Sequence, residues 1–359
     1  MTASVSQAAT AAPPRPLIDG PSAWVGAELA RRPETWTYGL APAEIAEIEA
    51  AVAGVRARGL DLGTVTRADF PLPTLGPKLA ALREEVINGR GFVLVRGLPV
   101  AGKKLIDNAA AYLGIGTWFG HARSQNAMGH ILGHVRDMGL SAEKDPNVRI
   151  YQTTERQTFH TDSCDIVGLL CLKTAKSGGL SSIVSSMTIY NVMATRRPDL
   201  VRVLFRPFAT DRRGEVPEGK KPYFEIPVFN DFAGHLSVIY ARRYITSARR
   251  FAEVPPLSKE ETAALDYFDS LANDAELRLD MAFQPGDMQF LHNHTILHDR
   301  TAYEDWAEPE NKRHLLRLWL AAPGARPLPP VYAERYGSVT VGDRGGIICP
   351  GTRLNVPVA

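Results

Sequence analysis

Phe159-His160-Thr161-Asp162 is the stretch that most constrains the fold, because it places two metal-binding side-chain types two residues apart. On a β-strand, side chains at positions i and i+2 point to the same face. The imidazole of His160 and the carboxylate of Asp162 could therefore bind one ion together. A single His-x-Asp is weak evidence, because such a pair is usually a surface or hydrogen-bonded pair.

A histidine-rich segment far downstream supplies candidates for a third ligand. It reads Gln289-Phe290-Leu291-His292-Asn293-His294-Thr295-Ile296-Leu297-His298. If the segment is one strand, His292, His294 and His298 share a face. Two histidines and one carboxylate on one side of a metal, with the other side open, suit non-haem Fe(II) oxygenases. The residues alone leave the choice among the three histidines open.

A third segment, Lys312-Arg313-His314-Leu315-Leu316-Arg317-Leu318-Trp319-Leu320, carries two arginines in apolar surroundings. Arg313 and Arg317 are four residues apart, so they share a face in a strand or a helix. Guanidinium groups that point inwards are costly unless they meet anions. A dicarboxylate co-substrate would satisfy one of them in the two-pronged geometry that arginine favours.

Composition limits the classes of protein that the chain can represent. Its 359 residues carry 41 Lys+Arg and 39 Asp+Glu, with no basic run that would indicate nucleic acid. No apolar run approaches the length of a membrane span. Cys164, Cys171 and Cys349 have no metal-type spacing. Cys164 and Cys171 lie in apolar surroundings and predict core thiols of a reduced, cytoplasmic compartment. Residues 1–16 lack the apolar stretch of a signal peptide and predict a disordered tail.

Apolar periodicity predicts helices in the first part of the chain and short strands in the second. The predicted helices cover residues 40–55, 79–86, 104–113, 187–194 and 258–271, the last opened by a capping box at Ser258. The predicted strands cover residues 92–95, 166–172, 182–185, 277–283 and the histidine segment. Charged residues, Pro and Gly predict a mobile loop over 210–222. This order favours an α+β protein with a mainly β core, a barrel or sandwich.

Taken together, these motifs resemble the Fe(II)/2-oxoglutarate-dependent dioxygenases of the taurine dioxygenase (TauD/TfdA-like) superfamily over roughly residues 90–322. The proximal His-x-Asp matches His160 and Asp162, and Gly286-Asp287 precedes the distal histidine, here His298. Arg313 and Arg317 match the Arg-x-x-x-Arg element. A Gly-Gly-x-Thr element of the family reads Gly178-Gly179-Leu180-Ser181 here, with Ser181 in place of threonine.

The resemblance implies a double-stranded β-helix (jelly roll) with flanking helices. It divides the chain into a helical region packed on the core (17–90), the dioxygenase domain (91–325) and a C-terminal extension (326–359). It also implies that His160, Asp162 and His298 bind Fe(II), and that 2-oxoglutarate and O2 are co-substrates. Arg313, with help from Ser181 and Arg317, would bind 2-oxoglutarate. Succinate and carbon dioxide would be released as a C–H bond of a small molecule is oxidised, most simply by hydroxylation.

Substrate contacts are expected in the polar segment before the proximal motif. Arg156 and Gln157 are the leading candidates there, with Tyr151 beside them, and Arg317 is a further candidate. A solvated loop explains the same segment equally well. Arg156 together with Arg317 would suit a carboxylate- or sulfonate-bearing molecule.

Two other classes of protein remain compatible with the sequence. One is a Zn- or Mn-dependent hydrolase or isomerase on the same scaffold, which would not need Arg313 or Ser181. The other is a non-enzymatic jelly-roll protein that binds a small anion. The expected partner is a small-molecule substrate, and neither nucleic acid nor a membrane is expected. Members of the family are monomers, dimers or tetramers, so a homo-oligomer is compatible with the resemblance.

Overall fold

The computed structural model describes residues 13–141 and 148–358, so residues 1–12 of the predicted tail lie outside the described part. Residues 13–16 are described, and Arg15 is attached to the body of the protein. Its backbone exchanges hydrogen bonds with the Tyr190 hydroxyl, and its guanidinium group pairs with Asp231 at 2.9 Å. No helix among the described residues is both long and apolar enough to span a bilayer.

The helices follow the periodicity of the sequence closely. The α-helices in the described residues are α1 Gly26–Ala30, α2 Pro42–Ala57, α3 Leu75–Ile87, α4 Leu105–Gly116, α5 Ser186–Arg196, α6 Pro198–Val203, α7 Arg242–Ser247, α8 Lys259–Ala272 and α9 Ala333–Tyr336. The capping box predicted before α8 is confirmed. The Ser258 hydroxyl accepts from the Glu261 N–H at 3.1 Å, and the Glu261 carboxylate accepts from the Ser258 N–H at 2.7 Å. These two bonds satisfy amides that have no partner inside the helix.

Most strands are short. The strands are β1 Thr37–Gly39, β2 Phe92–Arg96, β3 His121–Ala122, β4 Gly133–Val135, β5 Gln157–His160, β6 Ile166–Lys173, β7 Ser177–Gly178, β8 Ser181–Ser185, β9 Pro207–Asp211, β10 Tyr223–Pro227, β11 Phe229–Phe232, β12 His235–Val238, β13 Arg278–Met281, β14 Met288–His292, β15 Ile296–Arg300, β16 Tyr303–Glu304 and β17 His314–Ala321. The structure thus combines helices and strands, as predicted.

Two sheets organise the core. The larger has the order β1-β2-β14-β6-β17-β3, with β4 also pairing with β17, and only β1 and β2 run parallel. The smaller has the order β13-β8-β15-β5 and is antiparallel throughout. Three two-stranded ribbons, β9–β10, β11–β12 and β7–β16, lie outside these sheets.

Alternation along the strands explains how the sheets and helices pack. Within β14, Leu291 faces a cluster shared with Ile183 and Ile296 of the smaller sheet, whereas Phe290 faces the cluster formed with α2, α3 and α4. The smaller sheet turns Leu297 towards a third cluster, which contains residues of α5, α6 and α8. Successive side chains of a strand point to opposite faces, so each sheet contributes to two apolar layers.

Two segments differ from the sequence predictions. The histidine segment is not one strand, because residues 293–295 form a turn between β14 and β15, which belong to different sheets. The segment 210–222 is not a loop throughout: β9 extends to Asp211, and the Arg212 side chain is buried over the ring of Phe224. Cation–aromatic contact and burial of the long alkyl stem stabilise an arginine in this position.

Replacing Phe290 with Ala should destabilise the protein by roughly 3–5 kcal/mol, the usual cost of removing a fully buried aromatic ring. Phe290 is 0% exposed and stacks on Phe119 with ring centroids 3.8 Å apart. The free energy of unfolding in urea measures the effect. Phe232→Ala is the matched control, since that ring is 38% exposed, and an equal loss in both variants would contradict the layered core.

Candidate metal centre

Two paired strands bring the three predicted ligands together. β5 and β15 are neighbours in the smaller sheet, and His160 lies directly opposite His298 in their register. Asp162 follows two residues later, just beyond the end of β5. One ligand atom from each of His160, Asp162 and His298 lies within 4.8 Å of the others. This spacing allows all three to bind a single ion.

His160 is held in the form that binds metals. Its Nδ1–H donates to the Thr158 carbonyl at 2.8 Å, which leaves Nε2 unprotonated. The Gln157 amide donates to that Nε2 at 2.9 Å. Burial, assisted by the neighbouring His298, lowers the pKa of His160 to about 3. The ring is therefore neutral at physiological pH, as a metal ligand must be.

Asp162 is oriented by residues of β17 and by the turn before β15. The Trp319 indole N–H donates to its Oδ2 at 2.8 Å, and Arg317 Nη1 lies 3.4 Å from the same oxygen. The Asn293 side chain bonds both backbone groups of Asp162: its Oδ1 accepts from the Asp162 N–H, and its Nδ2 donates to the Asp162 carbonyl. Burial alone would raise the pKa of Asp162, but the charge of Arg317 together with the contacts of His298 and His160 outweighs it, and the pKa is lowered. The carboxylate is ionised and fixed in direction.

The structure separates His298 from the other two histidines of its segment. His298 Nε2 lies 3.6 Å from Asp162 Oδ2. His294 lies in the turn and hydrogen-bonds Asp165 at 2.9 Å, while His292 contacts the Thr295 hydroxyl at 3.1 Å. The shared face inferred from a continuous strand was wrong, because the turn redirects the chain between the sheets.

Next to the predicted ligands, two buried arginines contact the same tyrosine ring. The guanidinium carbons of Arg313 and Arg300 lie 5.1 and 4.8 Å from the centre of the Tyr303 ring. Arg313 Nη1 and Arg300 Nη1 have no hydrogen-bond partner, and neither side chain has a carboxylate within 4 Å among residues 13–141 and 148–358. Burial lowers the pKa of Arg300 to about 10, and the charge of Arg313 contributes.

Ser181 lines the same narrow cavity, together with His298 and both arginines. Gly179 has φ +67, and a Cβ built there would lie 3.0 Å from Arg313 Nε. Glycine thus allows both the left-handed backbone and the close passage of the arginine. Arg300 was missed in the sequence, although its position two residues after His298 on a strand is a usable signal.

The predicted substrate residues line a larger cavity of about 300 Å³ that also contains His160 and Asp162. Tyr151, Arg156, Gln157 and Arg317 all lie on its wall. Arg156 forms an ion pair with the buried Asp299 at 2.8 Å. Arg317 is engaged by Asp162 and by the Gln125 side-chain carbonyl, which accepts from its Nε at 2.8 Å. Their contacts with a substrate or with 2-oxoglutarate remain predictions.

The same cavity contains arginines that sequence reasoning did not select, among them Arg149, Arg213 and Arg335. They come from three separate parts of the chain. Arg335 belongs to the C-terminal extension and Arg213 to the segment read as a mobile loop. No spacing rule connects them, so only the folded structure shows that they meet.

The residues fit the groups that the sequence motifs imply. Two imidazoles and one carboxylate with an open side are a donor set for Fe(II). The orphaned Nη1 atoms of Arg313 and Arg300 are hydrogen-bond donors that require an anion. A 2-oxoglutarate carboxylate satisfies that requirement.

The fold and the site define a non-haem iron oxygenase. The chain belongs to the family "Taurine catabolism dioxygenase TauD, TfdA family", whose model matches residues 55–319. It is accordingly an Fe(II)- and 2-oxoglutarate-dependent dioxygenase that uses O2.

Similar proteins agree with this assignment. The chain is 32% identical to FR-33289 synthase of Streptomyces rubellomurinus over 89% of its own length and 95% of that protein. It is 32% identical to the taurine hydroxylase-like protein SAT17 of Stachybotrys chartarum, over 82% and 77% of the two chains. Asparagine oxygenase in complex with Fe(II), hydroxyasparagine and succinate has a similar fold, with a TM-score of 0.59 and 16% identity over 79% of this chain and 93% of that one.

His298→Gln should abolish stoichiometric Fe(II) binding, whereas His292→Gln should retain it, because only His298 reaches the other ligands. Anaerobic calorimetric titration measures both, and circular dichroism checks that each variant is folded. Loss of metal in the His292 variant, with His298→Gln unaffected, would refute the ligand set.

Proposed function

We propose that this enzyme hydroxylates an unactivated C–H bond of a small anionic molecule, bound in the large cavity beside His160, Asp162 and His298. 2-Oxoglutarate is converted to succinate and carbon dioxide in the same turnover. The observation that carries the proposal is the convergence of these three side chains within 4.8 Å of one another, with His160 and Asp162 on the wall of a cavity that several arginines also line.

Arg313 is the proposed anchor for the distal carboxylate of 2-oxoglutarate. Its unpartnered Nη1, and the hydroxyl of Ser181 on the same cavity wall, support this role. Arg300 is added to the anchor, since its guanidinium group faces the same Tyr303 ring and lacks a carboxylate partner among the described residues. Two guanidinium groups offer more donors than one carboxylate needs, so one of them could also bind an ordered water.

When bound, Fe(II) with 2-oxoglutarate and O2 supplies the oxidising chemistry. The residues of the chain do the positioning. Thr158 fixes the tautomer of His160, while Trp319 and Arg317 fix the Asp162 carboxylate. Arg156, Gln157 and Tyr151 are proposed to orient the substrate. The apolar faces of the cavity exclude water around the reacting C–H bond.

A double-stranded β-helix is the proposed architecture of the core. Several consecutive strands alternate between the two sheets: β5 is in the smaller sheet and β6 in the larger, and β13, β14 and β15 are in the smaller, the larger and the smaller sheet. Such alternation, with an apolar layer shared between the sheets, supports a jelly roll of residues 91–325. A cytoplasmic location is also proposed, and the burial of the Cys164 and Cys171 thiols, as in an ordinary apolar core, supports it.

Succinate formation tests the proposed reaction directly. The protein with Fe(II), 2-oxoglutarate and O2 should form succinate faster when a substrate from a panel of small anions is added, because substrate-coupled turnover consumes 2-oxoglutarate. Asp162→Ala should form none. Stimulation by neutral compounds alone would contradict an anionic substrate.

Arg313→Gln should raise the KM for 2-oxoglutarate by roughly 10- to 100-fold, the expected effect of losing a charge-assisted pair of hydrogen bonds. Steady-state succinate formation at varied 2-oxoglutarate gives the value. Arg206→Gln is the control, because that exposed arginine pairs with the equally exposed Glu260 on the surface, away from both cavities. An unchanged KM in Arg313→Gln would reassign the anchor to Arg300.

A further inference from the structure

Three arginines that line the large cavity have one close carboxylate among them. Other arginines on its wall have acidic partners: Arg156 pairs with Asp299, Arg242 with Asp266 and Asp269, Arg317 with Asp162, and Arg243 with Glu155. Arg149, Arg213 and Arg335 share a single close carboxylate, that of Glu215, which Arg149 contacts. In residues 13–141 and 148–358, neither Arg213 nor Arg335 has a carboxylate within 4 Å.

The backbone of Arg213 adopts a conformation that is unusual for an arginine. It is a non-glycine residue with φ +57, in the left-handed region that larger residues rarely adopt. Its side chain is buried at 5% exposure, and its Nε has no hydrogen-bond partner. Its Nη2 donates to the Val148 carbonyl at 3.5 Å, so the buried cation is only partly satisfied. A left-handed backbone that presents such a cation to a cavity is a feature of binding sites.

Arg335 reaches the cavity from the C-terminal extension. Its Nε donates to the Ser163 hydroxyl at 2.7 Å, and Ser163 adjoins the metal-binding Asp162. Its guanidinium carbon lies 5.7 Å from the centre of the Phe224 ring. Removal from water lowers the pKa of Arg335 to about 10, and the charge of Arg149 contributes.

Arg149 and Arg213 share one aromatic neighbour. Both guanidinium carbons lie 5.5 Å from the centre of the Tyr244 ring, and Arg149 donates to the Tyr244 hydroxyl. The charge of Arg149 also lowers the pKa of Arg213, after burial, which is the main cause. The three cations therefore repel one another in surroundings where charge is weakly screened.

The charges of this cluster define the ligand that would stabilise it. Three guanidinium groups and the Glu215 carboxylate leave two positive charges in a partly dry cavity. A carboxylate or sulfonate neutralises one of them, whereas a phosphoryl group with two negative charges neutralises both. Its three terminal oxygens also accept from several arginine forks at once.

We propose that Arg149, Arg213 and Arg335 bind the anionic end of the substrate, and that this end is a phosphoryl dianion. The proposal rests on the proposed function, because it names the group by which the hydroxylated molecule is held in the same cavity. A phosphate ester and a phosphonate share this chemistry. Arg213 and Arg335 are then residues that determine substrate specificity, separate from the metal and 2-oxoglutarate contacts.

Methyl phosphate, methylphosphonate, methanesulfonate and acetate are suitable probes for the anaerobic enzyme loaded with Fe(II) and 2-oxoglutarate. Methyl phosphate already carries two charges at mildly alkaline pH, since the second pKa of a phosphate monoester is about 6. Methylphosphonate is the weaker acid, so the titrations are made at a pH high enough for it to be a dianion as well. We expect both to bind at least roughly tenfold more tightly than methanesulfonate or acetate in calorimetric titrations. Comparison of methyl phosphate with methylphosphonate shows whether the site prefers the bridging oxygen of an ester.

Arg213→Gln and Arg335→Gln should each weaken binding of the phosphoryl probes by roughly tenfold or more, and Arg335→Lys should recover part of it. Arg206→Gln should leave it unchanged. In all three variants of the cluster, the 2-oxoglutarate affinity should stay at the wild-type value, because these residues do not line the cavity of Arg313.

The proposal would be overturned if the wild-type protein bound methanesulfonate or acetate as tightly as the phosphoryl probes, or more tightly. This comparison uses the wild-type protein alone and so does not depend on whether a variant folds. Unchanged phosphoryl binding in Arg213→Gln and Arg335→Gln would overturn it as well. These results are distinct from a failure of the proposed function, which would appear as absent 2-oxoglutarate binding while the probes still bind.

Discussion

The register between two neighbouring strands determines the metal centre. His298 lies opposite His160 because β15 and β5 pair in one register, and a shift by one residue would turn one of the two side chains to the other face. Asp162 completes the set because the chain leaves β5 immediately after His160. The larger sheet then fixes that carboxylate through Trp319 and Arg317, which lie two residues apart on β17. The site therefore depends on both sheets at once.

Charge compensation connects this centre with the remainder of the cavity. Asp162 is the carboxylate partner of Arg317, whereas Arg313 and Arg300 in the narrow cavity, and Arg213 and Arg335 in the large one, have no carboxylate within 4 Å among the described residues. Unpaired buried cations are costly in the free protein. Bound anions offset that cost. The same unpaired arginines therefore lower the stability of the ligand-free protein and favour the binding of anions. The buried Asp165 joins His294 to Arg344 and so holds the C-terminal extension, which carries Arg335, against the core.

Local sequence signals predicted the features that depend on residues near one another in the chain. The His160–Asp162 spacing, the Ser258 capping box and the apolar periodicity of the helices are of this kind. The turn after His292 was missed because both flanking strands are apolar, and alternation alone does not show where a chain passes from one sheet to another. Arg300 had a usable signal in its spacing from His298. Arg213 and Arg335 had none, since their meeting depends on tertiary packing alone.

The visible absorption spectrum of the anaerobic protein tests the central claim most directly. Fe(II) and then 2-oxoglutarate are added to the metal-free protein, with Asp162→Ala as the control. The account predicts a weak metal-to-ligand charge-transfer band that requires both additions and is absent in the variant. No band in a protein that still binds Zn(II) or Mn(II) would contradict the 2-oxoglutarate chelate and the role assigned to the three ligands.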